Sequence, residues 1–521
     1  MKKRNINLYI YISFFVIFML MFMYACLLCV KIIYNPAYVN KYIFGTIISG
    51  YIIIFSLIVS KIANKLSIKK EIMYVVFIML LTFILRWMGI VVMKTVQISD
   101  FSFPHDVIRY LRGDRLDAGY FDWIGNYYAK YPAWFPFMRA LNAFYGLFCG
   151  GEVNIEAVKY ANAILNTITC GGIYYASRNF FSKRVGIIAS ILYSCFPSLI
   201  IWTNITSPDH ILMLLFILEA IVWHWMWKNK DKKKMCIPLI CVHSVVCILI
   251  NWFKPLVILY LLVLIFYIIG TYDKNEKKEL VFVSIIYIVS FLICFFVSSK
   301  ILSTWVESFI QRETVDSTWL YVYCGSVMKE DGTMDNTKAN EVIEEVFRQY
   351  DNIEDQMKVF KEMAIQQIME NKNKLPILWL DKYKEAMGYE GATWFWCNTN
   401  NEDSYGDKLN EVLGLEYYFI ANQYYLIILF LITLSAISQL IPRLRNKNVF
   451  FLFLSVSGFI GILVISGVQS RYKLIVMPYI VMIAGYGLDS VSYIASSINI
   501  TYNQAFFNFR HGKKCDSVDR K

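Results

Sequence analysis

Charge is scarce in this sequence. Asp, Glu, Lys and Arg make up 17% of the 521 residues, hydrophobic side chains make up 57%, and the mean hydropathy is +0.47. Soluble domains carry about a quarter charged residues, so a chain this poor in charge belongs in a bilayer. Histidine is scarcer still: five are scattered along the chain in no metal-ligand pattern, so no metal site is expected from them. Most of the 12 cysteines stand inside apolar runs, where Cys behaves as a small hydrophobe. Cys149, Cys324 and Cys397 alone fall in polar loops; none of the three has CxxC spacing, and a Cys324–Cys397 disulfide is left open. Also missing are an internal repeat, a Walker loop, GxSxG and HExxH, which removes the nucleotide, serine-hydrolase and zinc-protease chemistries those motifs support.

What the chain does have is long apolar runs. They begin near residues 7, 42, 71, 156, 185, 210, 235, 255, 280, 416, 449 and 474, each long enough to approach the roughly 30 Å hydrocarbon core. The pattern predicts an all-α polytopic membrane protein with about 12 transmembrane helices. The first run, NLYIYISFFVIFMLMFMYACLLCV, is longer than a signal peptide's apolar core and lacks a small-residue cleavage site, so it reads as a retained helix.

Basic residues mark one side. KKR at the N-terminus, Lys61 to Lys70, Arg178 to Arg184, KNKDKKK at 228–234, Lys274 to Lys278, Arg443 to Lys447 and the HGKKCDSVDRK tail all fall in alternate loops. By the positive-inside rule both termini are cytoplasmic and the chain sits in the plasma membrane. The formal charge of +12 is then a topology signal facing anionic lipid, not a nucleic-acid footprint. The opposite side receives two long segments, 94–155 and 303–415. The second has 11 Lys+Arg against 21 Asp+Glu, and its helical apolar period predicts a folded, mainly helical extracytoplasmic region.

Several residues there could carry chemistry. Arg86 lies within an apolar run, where an unpaired cation is costly and is a functional candidate by default. Asp100, in Ser99-Asp100-Phe101, begins the first external loop and is followed by Asp106, Asp114, Asp117 and Asp122. A carboxylate at a cavity mouth can take a proton from a hydroxyl or hold a divalent cation. His105 and Asp106 could assist it. Tyr131, in the aromatic stretch 127–151, suits either interfacial anchoring or stacking on a sugar. Asp209 is a helix cap or a second acidic group of the site. Lys254, Arg471 and Tyr472 sit at outer helix ends, against the inside bias of cations, where they could meet a lipid phosphate.

Taken together these residues resemble the type C (GT-C) membrane glycosyltransferases, in the bacterial branch related to protein O-mannosyltransferases and lipid A aminoarabinose transferases. The similarity rests on Arg86 followed by Ser99-Asp100-Phe101, on Tyr131-Pro132 and Gly146-Leu147-Phe148, and on NAILNTIT. It continues through SRNFFSKRVGIIASILYSCFP, the SPDH turn and RYKLIVMP. Lys254-Pro255 stands where the family has Arg-Pro, keeping the charge and losing the planar fork. The resemblance covers about 75–490. It implies a division into two additional N-terminal helices (1–70), a catalytic membrane core (71–302) and the extracytoplasmic region (303–415). C-terminal helices (416–495) and a basic cytoplasmic tail (496–521) complete it.

The resemblance further implies that a sugar moves from a polyprenyl-phosphate donor to a glycan, glycolipid or protein acceptor outside the membrane, with inversion. Asp100 would be the base; Arg86, Lys254, Arg471 and Tyr472 would bind the donor phosphate; His105, Asp106, Tyr131 and Asp209 would contact sugar or acceptor. The resemblance fixes no cofactor, and a divalent cation is left open. A polymerase or ligase of lipid-linked polysaccharide would instead place essential Arg and His in the large loop, which here has only Arg312 and Arg348 and no His. A lipid or solute transporter predicts repeated halves and little external mass.

Overall fold

The computed structural model describes residues 2–33, 38–65, 67–113, 118–271, 277–390, 392–399 and 403–493. Asp114, Asp117 and the basic tail lie outside the described residues. Three N-terminal helices, α1 (Lys2–Ile33), α2 (Val39–Asn64) and α3 (Ile68–Met93), lead into the short helices α4 (Phe103–Leu111), α5 (Ala118–Lys130) and α6 (Trp134–Phe148). Then follow α7 (Ile155–Phe180), α8 (Lys183–Ser194), α9 (Pro197–Trp202), α10 (Asp209–Lys228), α11 (Lys233–Phe253), α12 (Val257–Thr271) and α13 (Lys277–Ile310). The second long segment forms α14 (Thr318–Ser326), α15 (Asn336–Gln349), α16 (Ile353–Glu370), α17 (Leu375–Met387), α18 (Ala392–Cys397) and α19 (Asp403–Leu409). It returns to α20 (Leu415–Ser438), α21 (Lys447–Ile465), a 3-10 turn Ser470–Val476, and α22 over 477–493. Among the described residues the one β pairing is the isolated bridge between Met328 and Met334.

Among the described residues, nine segments are long and apolar enough to cross a membrane, and Leu259–Thr271 is a shorter apolar helix. Each of the twelve expected starts falls on or beside a helix, yet three of those helices fail the composition or length test: α12 is short, and α7 and α8 fail for reasons visible in their sequence and packing. The buried side of α7 carries Lys159, Asn162, Asn166, Thr169 and Ser177, so its polar face turns inward against α3, α8 and α10. The run from 185 is broken into α8 and α9 because Pro197 has no N–H to continue the ladder. Side-chain caps start several elements: Asn154 accepts from the amide of Ala157, and Ser182 from that of Val185.

One large apolar core joins the spans, from Phe15 and Phe18 of α1 to Phe450 and Phe453 of α21. A second packs α4, α5 and α6 against the outer end of α13, through Phe103, Ile124, Tyr128, Phe135 and Val306. A third lies within the acidic segment, where Leu320 and Tyr323 of α14 meet Val346, Met357 and Phe360. The segment is fastened to the membrane helices by buried charge. Lys382 donates to the carbonyls of Gly325 and Ser466, and Lys473 pairs with Glu390 at 3.1 Å with both side chains buried. The Cys324 and Cys397 thiols are both free, and Cys397 instead donates to the Ile201 carbonyl.

Candidate active site

The chain leaves α3 at Lys94, whose φ of 47° is left-handed, and runs extended to Ile98. That extended stretch is tied from two directions. Val96 bonds Thr399 through both its amide and its carbonyl, and the Gln97 side chain bridges Asn204 and Thr206. Ser99 then adopts φ 51°, unusual for a residue with a side chain, and opens the 3-10 turn Ser99–Phe101 that carries Asp100. Such conformations cost of order 1–3 kcal/mol and persist where the surroundings impose them, commonly at functional sites. The turn buries Phe101 and leaves the Asp100 carboxylate 52% exposed.

Arg471 approaches it from 371 positions away in sequence. It stands in the Ser470–Val476 turn, 7% exposed, with Nη2 3.8 Å from Asp100 Oδ2. Its guanidinium carbon lies 4.8 Å from the Phe101 ring centre, 4.5 Å from that of Trp396 and 5.6 Å from that of Tyr472. Aromatic walls hold the fork in place, yet Nε and Nη1, both buried, find no hydrogen-bond partner among the described residues. A buried donor without a partner is destabilising, and Arg471 carries two such nitrogens on one guanidinium.

Beside it stands a second acid–base pair. Asp209 opens α10 with its carboxylate nearly buried, accepts from Trp202 Nε1 at 3.2 Å and lies 3.5 Å from Lys254 Nζ. Trp202 packs edge-on to Phe101, so the two pairs share an aromatic wall. Lys254 follows the last residue of α11, one quarter exposed, with its ammonium 4.7 Å from the Tyr472 ring centre. Tyr127, Tyr131 and Tyr321 close the other side. Burial raises the hydroxyl pKa of each, and the charge of Asp100 adds to the effect on all three. These phenols therefore stay protonated and can donate. A divalent cation at Asp100 would have to compete with the Arg471 guanidinium.

Sequence reasoning placed Asp100, Arg471, Tyr472, Lys254, Asp209 and Tyr131 together, and the fold brings them to one place. Two other residues go elsewhere. The Arg86 guanidinium is fully buried and donates to the carbonyls of Tyr193 (3.2 Å) and Ser194 (3.0 Å), the last two of α8. A cation at a helix C-terminus is favourable, so Arg86 caps α8 instead of facing a phosphate. His105 is buried against Tyr145, whose hydroxyl lies 2.7 Å from Nδ1, and burial, helped by Arg109, lowers its pKa to about 3. It is a neutral packing residue of α4, not a sugar contact. Asp106, in the first turn of the same helix, has its pKa raised, chiefly by burial. Reasoning from sequence missed Tyr321 and Trp396, which come from the acidic segment. Their signals were the aromatic clusters TWLYVYC and TWFWC within an otherwise polar stretch.

A groove of about 1110 Å³ opens on the apolar side of α13, lined by Trp252, Phe296, Val297, Lys300, Ile301 and Trp305. It holds neither Asp100 nor Arg471, and its lining is too apolar for the reaction itself. Trp252, which lines it, stands two residues before Lys254 in the sequence.

Residues 135–305, about a third of the chain, match the family model for dolichyl-phosphate-mannose-protein mannosyltransferase. The matched stretch takes in Asp209 and Lys254 and stops short of Asp100 on one side and Arg471 on the other. No curated protein matches the chain. With the nine apolar spans, the match supports a multi-pass membrane glycosyltransferase of the GT-C type.

Proposed function

We propose that this protein transfers a sugar from a polyprenyl-phosphate donor to an acceptor hydroxyl on the extracytoplasmic side of the plasma membrane, with inversion. The observation that carries the reading is Arg471: a buried guanidinium with two unpartnered N–H groups, 3.8 Å from a half-exposed carboxylate. An anion and a hydroxyl can meet there side by side. The acceptor oxygen attacks the anomeric carbon as its proton passes to Asp100. The bond from that carbon to the phosphate oxygen breaks, and its electron pair stays on the departing phosphate. Arg471 and Lys254 face that growing charge, the term that usually dominates such catalysis. Asp209 holds Lys254 in place, Tyr472 lies beneath the ammonium, and Tyr127, Tyr131 and Tyr321 offer hydroxyls and ring faces to the sugar. The groove beside Trp252 suits an isoprenoid chain. The acidic segment, through Tyr321 and Trp396, would meet the acceptor. The extracytoplasmic assignment rests on the basic loops that mark the other side.

The test uses membranes lacking other transferases, supplied with labelled polyprenyl-phosphate sugars. Asn at position 100 keeps the size of Asp and cannot act as a base, so Asp100→Asn should lower turnover about 10²–10⁴-fold at equal abundance. Equal consumption by both proteins would remove Asp100 from the chemistry. Failure of the wild type to consume any donor, with acceptor-containing envelope supplied, would remove the transferase reading.

A further inference from the structure

Halfway along α10 and α11 lies a polar cluster with no part in that chemistry. Glu219, His243 and Cys247 are at most 2% exposed, and one ligand atom from each lies within 4.8 Å of the others. His243 and Cys247 are one helical turn apart on α11 and so share a face. His243 Nε2 is 2.9 Å from Glu219 Oε1, and Nδ1 is 3.4 Å from Cys247 Sγ. The other oxygen of Glu219 accepts from Tyr479, and the Tyr287 hydroxyl lies 4.0 Å from the sulfur.

We propose that this cluster is a binding site for a zinc-class divalent cation. Thiolate, imidazole and carboxylate together are a zinc-type donor set. With one ligand atom from each residue within 4.8 Å of the others, small side-chain rotations bring the three onto one tetrahedral ion. Tyr479 is then the carboxylate's outer partner, as metal-bound carboxylates require. Tyr260, whose buried hydroxyl has no hydrogen-bond partner among the described residues, stands within electrostatic reach of Glu219 and Cys247. The ion would clamp α10 to α11, the two helices that present Asp209 and Lys254.

The full chain in detergent would be stripped with a chelator, reloaded with Zn²⁺ or Co²⁺, and desalted. The proposal expects about one ion per chain in the wild type, release of protons on loading, and a thiolate-to-cobalt charge-transfer band. Cys241→Ser, which removes an exposed thiol of the same helix, should keep all three. Cys247→Ser should lose the band, and Glu219→Gln should weaken binding at least about tenfold. A wild type that retains no ion overturns the proposal whatever the variants do. So does a band that survives in Cys247→Ser.

Discussion

Replacing Arg471 by Met separates the site's function from its stability. Two buried N–H groups without partners cost about 1–3 kcal/mol each, so roughly 2–6 kcal/mol opposes keeping the arginine. On the other side are three ring contacts, at 4.5, 4.8 and 5.6 Å, worth about 0.5–2 kcal/mol each. The 3.8 Å pair with Asp100 adds little, about 0–1 kcal/mol, because that carboxylate is half exposed. The terms nearly cancel, so Arg471→Met, which keeps an unbranched apolar stem among the same rings, should change folding stability by about 1 kcal/mol or less. Turnover should behave differently. Losing a preorganised donor to the leaving phosphate removes about 2.7–4 kcal/mol of transition-state stabilisation, or 10²–10³ in rate. Arg471→Lys keeps the charge without the fork and should fall between. The assay pairs thermal unfolding in detergent with release of labelled sugar from the lipid donor. A variant that melts many degrees lower yet turns over within a few-fold of the wild type would show that Arg471 is only a structural plug, and the argument from its free donors would fail.

Three further outcomes follow from other contacts. Arg86→Met removes the donors to the Tyr193 and Ser194 carbonyls; it should lower stability by about 2–4 kcal/mol while the folded fraction keeps its donor KM. Lys254→Met leaves the nearly buried Asp209 carboxylate without its cation and should destabilise by about 3–5 kcal/mol. The double variant with Asp209→Asn should recover most of that loss, and simple additivity in the cycle would refute the pair. His105 is held neutral by burial with a pKa near 3, against 6.5 unfolded. The unfolded chain therefore binds a proton that the folded chain does not, and stability falls as pH drops through that window, by about 2 kcal/mol at pH 5. His105→Gln should flatten the dependence between pH 6.5 and 4, read as the midpoint of thermal unfolding.

Composition and periodicity by themselves determined the class of molecule. A chain with 17% charge and twelve long apolar runs can satisfy its backbone in lipid only as helices, and its alternating basic loops are the ground for proposing which side faces the cytoplasm. Cations at Lys254 and Arg471 and a carboxylate at Asp100 stood out because each was out of place for its surroundings, which local sequence is enough to reveal. Tertiary structure decided which of them meet. Asp100 and Arg471 become neighbours only because 95–98 is tied to Thr399 and to the 204–206 turn, contacts with no local signature. The same long-range packing overrode local appearance at Arg86, which looks like a free membrane cation until the fold brings it to the last two carbonyls of α8. It turned the polar face of α7 inward, and it brought Tyr321 and Trp396 from the acidic segment to the edge of the site. An apolar pattern shows that a residue is unusual where it stands. Which partner satisfies it is settled across hundreds of residues, where only the folded chain can bring charge, ring and carbonyl together.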